Sequence, residues 1–484
     1  MIVKLKTPQC SIAQHRSKIF ALCSLLFFLL ISCDQPTNDS GITVPQDFTP
    51  PPAPPLPTSA HIRITDEAGL RAIDTSSANR KGYYELANDI TVSSWTPLGT
   101  ASAPFAGALD GGNHTITITS GSGGLFAYTK EATIWNLKIA GAITASGGTI
   151  QVGGIAGNAN WTHITGCVSS AAITVSASGH NSAAGGIVGF MRNNAMIRAC
   201  SASGGVTLQS SGSSLALMLY AGGVAGYAGT GAAGDGSSGC LIIKSQFFPL
   251  SGGAVSASGG YPYSGGIVGY NYATACVAEC FSGGAVTAEG ENLPYAGGIA
   301  GYNSRAALIT DAYSTATVNA TATSKQALAG GVSGANGANG IITRCYAGGA
   351  VTATIKGDGA ADAGGSLGVP TAANAGGIAG AVYYEAPALE YCAALNSSVT
   401  AADSASGGTR NAYRIAGRVD GTLTNNIAHS AMLLTGGANS DRTPNGQDGA
   451  DATAQRTQST FTALGWDFSS VWKMAGEYPV LNWQ

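Results

Sequence analysis

One short pattern of glycines and apolar residues recurs along the chain between residues 123 and 417. Its full form is a glycine pair, two small or aliphatic residues, another glycine and often an aromatic residue. The copies are separated by 32, 37, 43, 32, 33 and 46 residues, a spacing typical of stacked repeats. The seven clear copies are Gly153–Gly157, Gly185–Phe190, Gly222–Tyr227, Gly265–Tyr270, Gly297–Tyr302, Gly330–Gly334 and Gly376–Gly380. A divergent copy precedes them at Gly123–Phe126, and a degenerate one follows at Arg414–Gly417.

Three further columns follow the motif within each repeat. The first is aliphatic and contains Ile164, Ile197, Val277, Ile309, Ile342 and Leu389, with Ile243 expected in the repeat that carries an insertion. Three residues later come Cys167, Cys200, Cys280, Cys345 and Cys392, with Gln246 and Ala312 in the remaining repeats. The third column contains Ile173, Val206, Val286, Val318, Val351 and Val399. Such short, β-branched segments favour strands over helices.

Three strands per repeat and one coil per repeat predict an all-β fold. We expect a right-handed parallel β-helix, or solenoid, of about nine coils. With coils about 4.8 Å apart, the rod would be roughly 40 Å long. Alternation within the motif predicts that its aliphatic residue and last glycine point inward and its aromatic residue outward. The leading glycine pair is expected to allow a positive φ at a corner.

The repeated unit resembles the GLUG motif of bacterial surface proteins, and the resemblance covers about residues 61–484. It implies an N-terminal cap and first coils at 61–122, a GLUG-repeat solenoid at 123–420, and C-terminal coils and a cap at 421–484. The ending, from Trp466 to Leu481, is similar to the closing strand of that family. A terminal coil of this kind must hide an open sheet edge.

Residues 1–60 show a different pattern. Basic residues precede an apolar run from Ile19 to Ile31, which is shorter than the ~20 residues of a membrane span and typical of a signal peptide. The run ends in Leu30-Ile31-Ser32-Cys33, which resembles a bacterial lipobox. We therefore predict a lipoprotein signal peptide at 1–32 and lipidation at Cys33. Residues 33–60 are expected to join this lipidated cysteine to a proline-rich, semi-rigid linker.

Composition narrows the classes of function. Only 10% of residues are charged and the net charge is −3, so no basic surface is expected to bind nucleic acid. The chain has no His-Glu-x-x-His sequence and no phosphate loop. We predict no catalytic residue, no metal and no cofactor. The carboxylates Glu279, Asp311 and Glu390 flank the cysteine column and are expected in solvent. Asp448 and Asp451 match no calcium-loop spacing.

Two columns have more than one reading. The cysteines either form an interior ladder of free thiols or pair as disulfides between neighbouring coils. The aromatic residues that end four consecutive motifs either pack along the solenoid or form a binding platform. Those four candidate binding residues are Phe190, Tyr227, Tyr270 and Tyr302.

These observations together indicate a protein that is not an enzyme. We expect a lipid-anchored protein of the cell envelope, at the outer membrane or cell surface. Its partners would be the membrane, through the lipid, and glycans or proteins of a host or matrix, bound in the manner of an adhesin. Two alternatives stay open: a polysaccharide lyase or hydrolase, and a purely structural stalk.

Overall fold

A computed structural model describes residues 61–210, 217–230, 239–249, 252–357, 371–404, 408–437, 440–452 and 456–484. The predicted signal peptide, Cys33 and the proline-rich linker lie outside the described residues. Two α-helices, Glu67–Ala72 and Gln458–Thr462, and a 3-10 helix, Asn79–Lys81, are described. None of these helices combines the length and hydropathy that crossing a membrane requires.

The chain winds as a parallel β-helix whose strands stack in five ladders. Ladder 1 has twelve strands. They are Ile62–Ile64, Tyr83–Leu86, Ala108–Asp110, Thr133–Trp135, His163–Thr165, Met196–Arg198, Leu241–Ile243, Cys276–Ala278, Leu308–Thr310, Ile341–Thr343, Ala388–Glu390 and Thr422–Thr424.

Ladders 2 and 3 share one long strand, Lys138–Gly147. Ladder 2 also contains Ile90–Val92, Thr115–Ile118, Val168–Ser169, Ser201–Ala202, Gln246–Phe247, Phe281–Ser282, Tyr313–Ser314, Tyr346–Ala347, Ala393–Ala394, Ile427–His429 and Ala450–Ala452. Ladder 3 continues through Ala172–Ala177, Val206–Ser210, Ala254–Ser258, Ala285–Gly290, Thr317–Ala322, Val351–Ile355, Ser398–Asp403 and Leu433–Thr435.

Ladders 4 and 5 lie on either side of the recurring glycine pair. Ladder 4 contains Gln151–Gly153, Ser182–Gly185, Met218–Gly222, Tyr261–Gly265, Tyr295–Gly297, Gln326–Gly330, Ala372–Gly376 and Thr409–Tyr413. Ladder 5 contains Phe126–Lys130, Ala156–Asn160, Val188–Arg192, Ala225–Gly229, Val268–Tyr272, Ala300–Ser304, Ser333–Gly337, Ala379–Tyr383 and Ala416–Val419. Among the described strands, the one antiparallel pair is outside the ladders and joins Trp472–Ala475 to Tyr478–Leu481.

The solenoid confirms the predicted fold class and adds detail to it. The nine strands of ladder 5 correspond to the nine motif copies, and ladder 1 carries three additional strands before them. Each complete coil has five short strands instead of the expected three. The residues that follow each column cysteine form a ladder of their own, separate from that of the valine column, and the motif bends between two more ladders. Twelve rungs about 4.8 Å apart give a length of about 50 Å.

The apolar columns stack in register and form the main core. Ile164 pairs with Ile197, and the valine column from Val206 to Val399 is fully buried. The prediction was wrong by one residue in the repeat with the insertion. Ile242, not Ile243, pairs with Ile197 and Val277, and the buried Ser245, not Gln246, occupies the cysteine column. The insertion precedes this strand and shifts the count from the motif.

The glycine pairs do not serve the purpose that the sequence suggested. None of the seven pairs has a positive φ among the described residues. Instead, a Cβ on Gly223 would overlap the carbonyl oxygen of Gly266 and the ring of Phe247. The glycines are needed because backbone and ring atoms of neighbouring strands occupy the space of a side chain. Non-glycine residues with a positive φ recur at two other corners. One corner lies immediately before the cysteine column, as at Lys244 and Arg344, and the other lies between ladders 5 and 1, as at Asn193 and Ala273.

The two ends of the solenoid are covered differently. At the N-terminal end, Asp66 caps helix Glu67–Ala72 by accepting a hydrogen bond from the backbone N–H of Gly69 at 2.9 Å, and Leu70 is fully buried. At the other end, Asp448 is buried and accepts a hydrogen bond from the backbone N–H of Arg414 at 3.1 Å. The segment 440–449 thereby lies over the last motif coil.

The C-terminal segment, residues 456–484, lies along the flank of the solenoid. Here it is named the C-terminal strap. Its Trp466 and Trp472 pack with Phe281, Tyr313 and Tyr346 of ladder 2. The resemblance implied a closing strand over the end; the hairpin is present, but it covers the side of several earlier coils. A strap of this kind buries aromatic rings of ladder 2 that would otherwise face water.

Polar contacts fix the strap in place. Trp483 donates from Nε1 to the carbonyl oxygen of Glu279 at 3.0 Å, and Trp466 donates to that of Tyr391 at 2.9 Å. Trp472 donates to Asp311, whose carboxylate also pairs with Arg344 at 2.7 Å. The strap therefore holds coils from Glu279 to Tyr391 together.

The cysteine column is an interior ladder. All seven cysteines in the described part of the chain are free and buried, and the backbone N–H of Cys167 donates to Sγ of Cys200 at 3.4 Å. Burial raises the pKa values of the column thiols Cys167, Cys280 and Cys345 above the ordinary value of a thiol. The reactive thiolate is therefore scarce at neutral pH.

Alkylation should distinguish free thiols from disulfides. In the native chain, iodoacetamide should leave Cys167, Cys200, Cys345 and Cys392 unmodified at pH 8. In urea without reductant, peptide mass spectrometry should find all four alkylated. Peptides that are alkylated in urea only after reduction would show that the neighbouring coils are bridged.

The Asp311–Arg344 pair should contribute measurably to stability. Asp311→Asn leaves the largely buried Arg344 guanidinium without its charge partner, and we expect a loss of about 3 kcal/mol. Asp420→Asn is the control, since its pair with Arg418 at 2.6 Å is exposed and should add little. Urea unfolding followed by circular dichroism measures both. Equal midpoints for the two variants would contradict this role of Asp311.

Candidate functional site

Ladders 4 and 5 meet at the sharp corner that the glycine pairs form. The strands on both sides give alternate residues to two different clusters. Leu219 of ladder 4 and Met191 of ladder 5 belong to the main core, whereas Tyr220 and Phe190 pack in a second cluster outside it. The corner is tight because a Cβ on Gly226 would lie 2.8 Å from the backbone nitrogen of Ala184. The last glycine of the motif thus serves this corner, not the narrow interior that the sequence suggested.

The four predicted aromatic residues form a continuous row on ladder 5. Phe190 pairs with Tyr227, Tyr227 with Tyr270, and Tyr270 with Tyr302 in successive strands. The rings of Phe190 and Tyr227 stack with centroids 4.2 Å apart, and those of Tyr270 and Tyr302 stack at 5.2 Å. The predicted vertical alignment of these residues is therefore present.

A second aromatic row, which the sequence analysis missed, lies on ladder 4. Tyr220, Tyr263 and Tyr295 occupy one register position in three successive strands. The ring centroids of Tyr263 and Tyr295 are 4.7 Å apart, and Tyr220 lies 5.4 Å from Tyr227 of the first row. The signal was present, since each tyrosine stands two residues before a glycine pair.

Contact between the rows changes the interpretation of the first row. Tyr227 is only 8% exposed, and Phe190, Tyr270 and Tyr302 are partly buried against the second cluster. The row therefore points away from the main core, as predicted, but it is not a free outer surface. Packing, one of the two interpretations open from the sequence, is therefore present in these side chains, and only part of each ring stays accessible.

The two rows form the wall of a groove of 710 Å³, here named the aromatic groove. Its lining combines aromatic faces with amide, hydroxyl, imidazole and guanidinium groups. The lining residues are Thr149, Gln151, His180, Asn181, Phe190, Arg192, Met218, Tyr220, Tyr227, Tyr263, Tyr270, Tyr272 and Arg305. Three of the four predicted binding residues line it; Tyr302 does not and instead packs against Tyr270, Tyr295 and Tyr383.

Polar side chains at the rim are positioned by one another. Arg192 donates from Nε to Oδ1 of Asn158 at 3.3 Å, and Asn158 donates to Oε1 of Gln151 at 2.7 Å. At the neighbouring rim position, the hydroxyl of Tyr220 donates to Oδ1 of Asn181 at 3.1 Å. These residues stand apart from the repeated motif, and the sequence analysis did not single them out.

Burial keeps the tyrosines of the groove neutral. It raises the pKa of Tyr270 to about 12, and it raises the pKa values of Tyr220, Tyr227 and Tyr263 as well. At neutral pH these phenols supply ring faces and hydrogen bonds. They are not available as phenolate bases.

The three carboxylates that were expected in solvent are instead largely buried. Asp311 and Glu390 are 8% and 7% exposed, and Glu279 lies 3.5 Å from the ammonium group of Lys244. Burial raises the pKa values of Glu279 and Glu390. These groups lie beside the C-terminal strap and are absent from the lining of the aromatic groove.

A smaller recess of 300 Å³ lies where the strap meets ladder 2. Phe281, Tyr313, Tyr346, Tyr478 and Val480 are among its lining residues. It has no charged lining residue in the described part of the chain. No group of three or more His, Cys, Asp or Glu side chains among the described residues could hold a metal ion.

Comparison with known proteins identifies the repeated unit. The model of the GLUG motif family matches residues 292–319, which run from ladder 4 through ladder 5 to ladder 3. No curated protein matches the chain.

A solved structure described as "a putative immunoglobulin A1 protease from Bacteroides ovatus" aligns with 88% of this chain and 94% of its own. The sequence identity is 18% and the TM-score is 0.35. These values are too low to support an inference about activity. The motif match and the ladders have a direct consequence: the chain is a GLUG-repeat protein whose repeats stack as a parallel β-helix.

Proposed function

We propose that this GLUG-repeat protein is a lipid-anchored protein of the cell envelope that acts by binding carbohydrate in the aromatic groove, in the manner of an adhesin. One observation carries the proposal. Six aromatic rings from two ladders form one wall of a 710 Å³ groove, and amide groups stand at its rim. Binding sites for small molecules and sugars commonly combine apolar faces with a few placed polar groups.

The geometry suits a sugar for a specific reason. A sugar ring has apolar C–H faces and hydroxyl edges, and the groove offers matching surfaces of both kinds. The faces of Phe190 and Tyr270 are only partly covered, while Gln151 and Asn181 can exchange hydrogen bonds with hydroxyl groups. Because packing in the second cluster fixes the rings, little conformational entropy is lost on binding.

The groove favours binding over cleavage. Hydrolysis or elimination on a polysaccharide requires paired carboxylates or another strong base near the scissile bond. The described lining residues include neither Asp nor Glu. The tyrosines also have pKa values too high for them to act as bases at neutral pH.

Removing the accessible rings should weaken the binding of glycans without unfolding the coils. A glycan array first identifies the glycans that bind. We expect Phe190→Ala/Tyr270→Ala to reduce the affinity for these glycans by roughly tenfold or more, as for central aromatic contacts in other interfaces. Tyr384→Ala is the matched control, because this ring is 61% exposed and lies outside the groove.

Isothermal titration calorimetry of the full-length chain and both variants gives the affinities, and circular dichroism verifies folding. The proposal would be overturned if the double variant and the control bound equally well, or if no glycan bound to the full-length chain. Release of new reducing ends from a bound glycan would assign the groove to an enzyme instead.

Lipidation at Cys33 is tested separately. Cells that produce the full-length chain should incorporate labelled palmitate into it, and Cys33→Ala should lose the label. Cys23→Ala, which removes a cysteine within the apolar run, should retain it. Two acyl chains give stable attachment to a bilayer, so the Cys33 variant should also leave the membrane fraction. Equal labelling of all three proteins would refute the lipid anchor.

A further inference from the structure

We propose that the ligand of the aromatic groove is an extended anionic glycan whose carboxylate or sulfate groups bind Arg192 and Arg305. The inference rests on the proposed carbohydrate-binding function and specifies its ligand. Both arginines line the groove. Neither takes part in an ion pair with another described residue, although seven other arginines do.

Arg192 is held in place with most of its donors free. Its one described hydrogen bond uses Nε and goes to Asn158, which is itself held by Gln151. The guanidinium lies 5.7 Å from the centroid of the Phe190 ring. The terminal nitrogens therefore remain for a ligand, and they suit the two oxygens of a carboxylate or sulfate group.

Arg305 provides a second positive charge farther along the same groove. It directly follows strand Ala300–Ser304 and lies 5.8 Å from the centroid of the Tyr272 ring. That strand is three strands beyond Val188–Arg192 in ladder 5, so the two backbone positions are about 14 Å apart along the solenoid. The Arg305 side chain lies over Tyr272 of the preceding strand, so the rings that the two arginines cover are two strands, about 10 Å, apart along the solenoid. A ligand that contacts both arginines is therefore an oligomer of at least two sugar units lying along the coils.

The surroundings strengthen the preference for negative charge. The described lining contains two arginines and no carboxylate to neutralise them, within a chain whose overall net charge is −3. Arg192 is half-buried beside the Phe190 ring, where an arginine interacts with anions more strongly than in open water. The exposed Arg305 adds a second positive charge to the groove. The amides Gln151 and Asn181 add partners for hydroxyl groups, which an acidic sugar has and an acidic peptide largely lacks.

Pairs of probes that differ only in charge test the inference. The full-length chain is titrated with hexameric oligogalacturonate and its methyl ester, and with dextran sulfate and dextran of matched size. We expect each anionic probe to bind at least tenfold more tightly than its neutral partner, and increased NaCl to reduce the difference. Comparing oligogalacturonate with dextran sulfate then shows whether the groove prefers carboxylate or sulfate groups.

Three variants test which residues cause the preference for anionic probes. Arg192→Gln and Arg305→Gln should each reduce the affinity for the anionic probe about tenfold, the change expected when a hydrogen bond to a charged group is lost. In both variants the anionic probe should lose more affinity than its neutral partner, so that the ratio between the two falls towards one. Arg198→Gln is the matched control, since this residue follows Arg192 in the same coil but is exposed on ladder 1.

The outcomes separate the two proposals. If neutral and anionic probes bind equally well, and Phe190→Ala/Tyr270→Ala still removes binding, the preference for anions is wrong and carbohydrate binding stands. If poly-glutamate binds as tightly as oligogalacturonate, the ligand is an acidic protein and the inference is overturned. If no probe binds and no glycan of the array binds either, both proposals are wrong.

Discussion

The corner between ladders 4 and 5 leaves no room for a Cβ, and much of the molecule follows from that constraint. At Gly223 a side chain would overlap the backbone of the next strand, and at Gly226 it would meet the facing ladder. Any shift of register would place a larger residue in this space. The glycines therefore fix the vertical alignment of the coils, and that alignment stacks like residues upon one another.

Stacking of like residues satisfies polar groups as well as apolar ones. The buried amides of Asn271, Asn303 and Asn336 form a ladder with 2.8 Å hydrogen bonds between neighbours. A buried amide without a partner would cost free energy. In this row Asn271 donates to Asn303 and Asn303 donates to Asn336. Asn336 donates to the backbone carbonyl oxygens of Gly340 and Ala388. The aromatic groove follows the same rule, because two rows of rings meet where the glycine corner brings the two ladders together.

The sequence predicts the regular part of this structure well. Periodicity locates the coils and the buried columns, since every repeat must bury its apolar face against its neighbours. It fails where the period is broken: the insertion before Ile242 displaces that strand by one residue. It also does not show how ladders are arranged across a coil. The second row, with Tyr220 and Tyr263, and the burial of Asp311 depend on contacts between elements that are distant in sequence.

The C-terminal strap changes how such an array can come apart. A solenoid in which each coil contacts only its neighbours can lose coils one at a time from an open end. Here Trp466, Trp472 and Trp483 attach the last residues to coils as early as that of Glu279. The terminal coils are thus enclosed in a loop of about 200 residues, and they are released together or not at all. Mechanical load applied through the C-terminus would therefore act first on the contacts of the strap, and only afterwards on the last coils.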